Sequence, residues 1–246
     1  MTAFKPIRQV RIYEEVLRQL RDAILSGHFR SGEKLPSERQ LSEQFQVSRV
    51  VIREAIRALE LRGFLALRQG PSGGAFVVEL SLQQLSRAFQ DLFLTNKLSA
   101  KELVQVRLHI EPEITRLAAL RVTAASGKKL EHAYKAEHAD TLTHSEWVAR
   151  NLKIHYLLAK MCGNRFYEAI LTPLLDLTRE MVLVVKPDQT VIHDHKEHEV
   201  IVKAVAGKEP EEAATAMRKH ISQVGGSLIE LEARYRKKKG LPALAP

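Results

Sequence analysis

Residues 44–56 read QFQVSRVVIREAI, and the next residue is Arg57. At about 100° per residue, Arg49, Arg53 and Arg57 fall within roughly an 80° arc of an α-helix. Val51, Ile52, Ala55, Ile56 and Leu59 occupy a different arc, centred nearly opposite. One face is made for a core, and the other carries a row of guanidinium groups whose target has to be found.

The flanking sequence supplies the frame. Ser48 is placed to cap this helix, which runs to about Arg62 and stops at Gly63. Before it, PSERQLSEQF (36–45) opens a second helix, with Ser37 as N-cap and Gln40 completing a capping box. QVS (46–48) is a tight connection and FRSGEKLP (29–36) a loop. Residues 8–26 form the first helix, with a stripe of Ile12, Val16, Leu20 and Ile24 and Gly27 as its stop. FLALRQGPSGGAFVVEL (64–80) alternates β-prone runs with a turn rich in Gly, Pro and Ser, which predicts a β-hairpin of FLAL and AFVV. Three short helices and a hairpin make a winged helix-turn-helix ending near Leu80.

Beyond residue 80 there is no convincing strand. Helical periodicity covers 82–95, 99–122, 127–142, 145–162, 164–185, 188–206 and 209–238, with breaks at TNKLS, AASG, CGN, KPDQ and AGKEP. The expected architecture is mainly α: a winged helix-turn-helix in residues 1–80 and an all-α bundle of six to seven helices in 81–246. The basic terminal run RYRKKKGLPALAP reads as a frayed, solvated helix end.

Lys and Arg number 38 and Asp and Glu 29, a net charge of +9. This surplus favours anionic partners such as nucleic acid, but says nothing about fold. A single cysteine, Cys162, allows no intramolecular disulfide, fits a reducing compartment and reads as a packed side chain in YLLAKMCGN. No apolar run of about 18 residues predicts a membrane span, and the N-terminus lacks the apolar core of a signal peptide, so the expected location is cytoplasmic.

In a helix-turn-helix the second helix enters the major groove with its N-terminal residues nearest the bases. Arg49 and Arg53 stand there, and an arginine fork holds O6 and N7 of guanine or clamps a phosphate. Arg39, on the preceding helix, reaches the same groove or its rim. For Arg57, further along, pairing with Glu54 or Glu60 on a solvated face is the simpler reading.

Residues 31–77 resemble the DNA-binding domain of GntR-type winged-helix regulators. The resemblance is carried by G-x-x-L-P-S-E-R-x-L, then V-S-R-x-x-x-R-E-A, then L-x-x-x-G. It implies DNA contact from Arg39, Ser48, Arg49 and Arg53, with further contacts from the positions of Val50 and Val51. The wing tip, here Gln69 and Gly70, is expected at the minor groove. Two valines at 50 and 51, where many relatives have a polar residue, suggest apolar contact with thymine methyls or less direct readout.

VRLHIEPEITRLAA (106–119), NLKIHYLLAKMCGNRF (151–166) and EHEVIVKAVAGKEPEEAATAMRKHI (197–221) resemble the FadR-like branch, whose C-terminal FCD domain is a bundle of six or seven helices. Independently, Asn151 and His155 are i, i+4 and share a helix face. His198 and His220 flank the short turn GKEP and stand within about 3 Å of the same level in an antiparallel pair. Three imidazoles and an oxygen can thus converge in a bundle core. The resemblance implies the same, a divalent metal held by Asp and three His, with Asn151 standing where Asp is usual. Zinc is the first choice, with nickel or manganese as alternatives. The other reading is three hydrogen-bonded histidines, or direct binding of an anionic effector. His193 and His195 match no ligand position; His132, His138 and His144 read as solvated. Arg107 either holds a carboxylate effector, as the resemblance implies, or pairs with Glu111 one turn on.

These readings predict a DNA-binding transcription regulator, a homodimer on a pseudo-palindromic operator, released by a small carboxylate. The alternative is a metal-dependent hydrolase built on the histidines. It lacks H-E-x-x-H, P-loop and G-x-S-x-G motifs, and Glu197 is set on another face from His198. A structural nucleoid protein is a third, weaker reading, against which the recognition helix and the polar bundle centre argue.

Overall fold

Val16, Leu17 and Leu20 bury one face of the first helix, α1 (Val10–Leu25). The structure, a computed structural model, describes residues 10–137, 142–187 and 195–242. Ile12 departs from the expected stripe and is 49% exposed. A row of i, i+4 residues drifts about 40° per step around a helix, so Ile12 has rotated off the face that Val16 and Leu20 define.

α2 (Glu38–Phe45) starts at Ser37, whose side chain and that of Gln40 form the reciprocal capping box. The connection to α3 (Arg49–Leu61) turns at Gln46, in the left-handed region at φ 53°, and Ser42 Oγ donates to the carbonyl of Val47 at 2.5 Å. Ser48 Oγ then accepts from the amide of Val51. Ile52, Ala55, Ile56 and Leu59 of α3 are buried with Leu35, Leu41, Leu65, Ala75 and Val77 in one core. The hairpin pairs β1 (Leu65–Arg68) with antiparallel β2 (Gly74–Val77), Leu65 opposite Val77 and Arg68 opposite Gly74. Lys34 adds an isolated bridge to Phe76 on the other side of β2. At the wing turn Gly70 takes φ 100°, and a Cβ on Gly73 would lie 2.4 Å from the carbonyl oxygen of Arg68.

The chain divides into two units, Met1–Gln84 and Leu85–Pro246. The second contains α4 (Gln83–Leu94) from its third residue on, α5 (Ala100–Arg121), α6 (Ala124–Ala136), α7 (His144–Met161), α8 (Arg165–Val185), α9 (His195–Ala206) and α10 (Pro210–Lys239). α5 and α10 approach so closely at Gly225 that a Cβ there would sit 2.5 Å from Val104 Cγ1. Ile114, Ala118, Leu158, Leu171, Leu175, Ile201 and Ile221 lie in the common core, and Cys162 is fully buried among them.

AASG, expected as a break, is instead the first turn of α6. Thr123 caps it and bonds reciprocally with Ser126, so the Ala-Ser-Gly composition marks a helix start. Pro112 and Pro173 sit inside α5 and α8, where neighbouring buried residues on the same helices keep the apolar face continuous. The helix expected to run to 142 ends at Ala136, and the start expected at 188 lies among residues 188–194, outside the described residues. Among the described residues, no helix is long and apolar enough to cross a membrane.

Candidate functional site

The arginine row lies on the outside of α3. The side chains of Arg49, Arg53 and Arg57 are 61%, 47% and 61% exposed. Ser48, Val50, Gln69, Gly70 and Arg39 are exposed as well, whereas Val51 is half-buried and packs on the core of its unit. Val50 is therefore the valine open to solvent. Arg57 pairs with Glu54 at 3.6 Å, one of the two partners expected for it.

Arg53 has a partner that helical spacing did not reveal. Its Nε and Nη2 donate to both oxygens of Glu38 at 3.0 and 2.8 Å, and Arg49 approaches the same carboxylate at 3.8 Å. The bonds from Arg53 hold the Glu38 carboxyl below its usual range. Glu38 opens α2, so the two helices of the motif share one carboxylate that aims the arginine fork. On the wing, the Arg68 guanidinium lies 4.2 Å from the centroid of Phe76, an arrangement that orients a cation beside the hairpin.

The second constellation is buried. His155 of α7, His198 of α9 and His220 of α10 are at most 2% exposed, and one ring nitrogen from each lies within 4.8 Å of the others. His155 Nε2 and His198 Nε2 are 3.3 Å apart. That matches the edge of a tetrahedron with zinc–nitrogen bonds of about 2.0–2.1 Å. Each Nδ1 meets a different carboxylate: His155 that of Glu111, His198 both oxygens of Glu137 at 3.0 Å, and His220 that of Glu197 at 2.7 Å. A carboxylate on Nδ1 fixes the tautomer that presents Nε2 as a ligand and raises its basicity.

Asn151 stands one turn before His155 on α7. It lines a cavity of about 20 Å³ with His155, His220, Arg107, Trp147 and Thr178, enough for one water-sized group. The Asn151 amide nitrogen and Trp147 Nε1 are buried there without a hydrogen-bond partner among the described residues. An amide is readily turned end for end, which brings its oxygen to the same point. An orphaned amide that lines one cavity with His155 and His220, which cluster with His198, fits a metal centre with Asn151, His155, His198 and His220 as donors.

Arg107 is fully buried and donates to Glu111 at 2.5 Å and to Thr178 Oγ1 at 3.3 Å. The pairing with Glu111 is thus made, at the wall of the same cavity. Burial pushes the Glu111 carboxyl up, but Arg107 and His155 outweigh it and hold it at about 2. Burial pushes the Glu137 carboxyl up to about 9. A cation at the histidines would favour its ionised form.

Nothing in the sequence groups Glu111, Glu137 and Glu197. Glu197 lies beside His198 in sequence but serves His220, and Glu111 was visible only as a partner of Arg107. Nothing local marks Glu137, 61 residues from the histidine it meets. His144, expected to be solvated, is half-buried with Nε2 3.2 Å from the carbonyl oxygen of Val182, because the first turn of α7 packs on α8. His132 is exposed. His138, His193 and the side chain of His195 lie outside the described residues.

Two family models match the chain: "Bacterial regulatory proteins, gntR family" over residues 12–77 and "FCD domain" over residues 102–223. The HTH-type transcriptional repressor NanR of Cronobacter sakazakii is 26% identical over 245 residues, covering 96% of this chain and 92% of that protein. NanR of an Enterobacter species is 27% identical over 249 residues, with the same coverage. A solved structure, Streptococcus agalactiae GntR, has 28% identity and a TM-score of 0.68, covering 87% of this chain and 99% of its own. With both models and these relatives matched along most of its length, the chain belongs to the GntR family of bacterial regulatory proteins, carries an FCD domain, and is a transcription regulator rather than an enzyme.

Proposed function

We propose that the protein is a cytoplasmic homodimeric repressor that reads a pseudo-palindromic operator and releases it when a small carboxylate binds beside a divalent metal in the helical unit. Arg49 and Arg53 contact base edges or phosphates from the start of α3, with Arg39, Ser48, Val50 and Val51 around them. The wing tip at Gln69 and Gly70 enters the minor groove. Glu38 pre-orders the Arg53 fork, which lowers the conformational cost of using it. The name of the NanR relatives supports repression as the sign.

In the helical unit, His155, His198 and His220 with Asn151 hold the metal, zinc being the first choice. A neutral amide in place of a carboxylate leaves the ligand set uncharged. Glu111, Glu137 and Glu197 supply the compensating negative charge through the rings. A bound metal would offer a Lewis-acidic point for a carboxylate oxygen and Arg107 the second, which requires the cavity of about 20 Å³ to widen. The effector must bind the DNA-free form more tightly than the DNA-bound form, by the factor through which it weakens operator binding.

The observation that carries this reading is the set of three buried imidazoles, each oriented by its own carboxylate, in a chain whose other unit is a DNA reader. The experiment is a titration of small carboxylates into zinc-loaded protein on its operator, followed by fluorescence anisotropy. The expected result is release by at least one carboxylate in wild type, and none in His198→Ala. Operator affinity unmoved by zinc, by chelation and by every carboxylate tried would contradict ligand control at this site.

A further inference from the structure

Trp147 is the only tryptophan in the chain, and it is 3% exposed. It stands on α7 with Asn151 and His155 at spacings of four, so the three share one helix face. All three line the cavity to which Arg107 and Thr178 contribute from α5 and α8. Trp147 Nε1 is buried and has no hydrogen-bond partner among the described residues. Its ring lies 6.0 Å from that of His144, a packing contact that leaves the N–H unused.

An indole N–H is a donor only. Unlike the amide of Asn151, it cannot be turned to present an oxygen, and it cannot ligate a metal. A metal centre therefore accounts for Asn151 and leaves Trp147 unexplained. Phenylalanine would fill a core with no polar atom to satisfy, whereas a buried N–H without an acceptor weakens the fold. The N–H is accounted for if the cavity receives a ligand that carries an acceptor.

The carboxylate proposed for this cavity already has two points of attachment, the metal and Arg107. Glu111 meets both Arg107 and His155, which puts those two points at one end. Trp147 lies eight residues before His155, about 12 Å along the helix axis, and helical side chains lean further toward the N-terminus. The acceptor that meets the indole is then a second oxygen, on a carbon remote from the carboxylate. The apolar wall of Val148, Leu152, Val182 and Val224 suits a short aliphatic chain that enters as the cavity widens. We infer that Trp147 is a specificity-determining residue of the effector site, its indole N–H selecting aliphatic acids with a remote oxygen acceptor, such as a ketone, over the plain acids. This rests on the carboxylate effector proposed above and names the second group that the effector carries.

The test uses the whole chain, zinc-loaded and isotopically labelled with nitrogen, as wild type and as Trp147→Phe. Pentanoate, hexanoate and heptanoate are compared by calorimetry with acids of the same length whose penultimate carbon is a ketone, and with those whose ketone adjoins the carboxylate. The single indole N–H signal of wild type is followed by nuclear magnetic resonance in the same titrations. The expected result is that at least one acid with the remote ketone binds wild type on the order of three- to tenfold more tightly than its parent, the gain of one neutral hydrogen bond. That preference disappears in Trp147→Phe, and the indole signal moves downfield with the remote ketone and not with the parent or the adjoining ketone. Wild type that binds plain and remote-ketone acids alike, or a preference that survives in Trp147→Phe, overturns the role of Trp147 and leaves the carboxylate effector standing. If no acid of any kind binds wild type, both fall. If Trp147→Phe loses helix content by circular dichroism, the indole signal alone decides, and a signal unmoved by every remote-ketone acid that binds overturns the inference.

Discussion

The two units solve opposite problems with the same charged residue types. In the N-terminal unit the arginines of α3 are about half exposed or more, and a single shared carboxylate, Glu38, steers them. In the helical unit Arg107, Glu111 and the three histidines are almost wholly withdrawn from water, and nearly every polar atom is matched. An exposed pair is weak and breaks easily, which would suit a fork that, as proposed, exchanges Glu38 for DNA. A buried cluster is costly to leave half-made, which suits a site that should exist in one geometry and answer to one ligand. Substitutions should therefore act gradually in the first unit and abruptly in the second.

The largest effect expected is at the histidines. His198→Ala should reduce zinc binding, followed by competition with a chromophoric chelator, to the level of exposed surface sites. Comparable zinc affinity in wild type and variant would remove the metal from the account. Arg49→Ala should follow. An arginine fork on a guanine discriminates by about 1–3 kcal/mol, so specific operator affinity should fall on the order of ten- to a hundred-fold while binding to random duplex changes far less. Equal losses on both DNAs would make Arg49 a phosphate contact.

Glu197→Gln keeps the shape at His220 but removes the charge, and should weaken zinc by roughly ten- to a hundred-fold, the usual range for such an orienting group. Because zinc competes with protons for its ligands, wild-type affinity should also fall as pH is lowered. A flat profile would point to ligands other than histidine. The smallest effect is expected from Arg57→Ala, whose exposed pair with Glu54 contributes little; thermal stability should be unchanged within error, and operator binding within a few-fold. A large loss at Arg57 would extend the reading face a full turn along α3.

What could be read from the residues alone follows the same division. The winged helix was legible because its signals are local: Ser37 with Gln40, Ser48, the apolar arc of α3, and the Gly-Pro-Ser turn of the wing. The pairing of His198 with His220 was legible because they flank a short turn, and helix rise fixes their relative level. Glu137 was not, since its role depends on how α6 packs against α9, and no spacing along the chain encodes that. The Glu38–Arg53 bond was hidden for a related reason: helical periodicity compares residues within α3, and Glu38 lies on α2. AASG misled because Ala, Ser and Gly serve equally as a break and as a capped first turn, and only the Thr123–Ser126 exchange distinguishes them.

The most direct test of the central claim is fluorescence-anisotropy binding to the DNA upstream of this protein's own gene, at two salt concentrations, with random duplex as competitor and Arg49→Ala beside wild type. The account predicts specific binding that survives the competitor, weakens with salt and is lost in Arg49→Ala. Wild type and Arg49→Ala binding alike on both the upstream and the random DNA would contradict it, because α3 would then not be the element that reads the sequence.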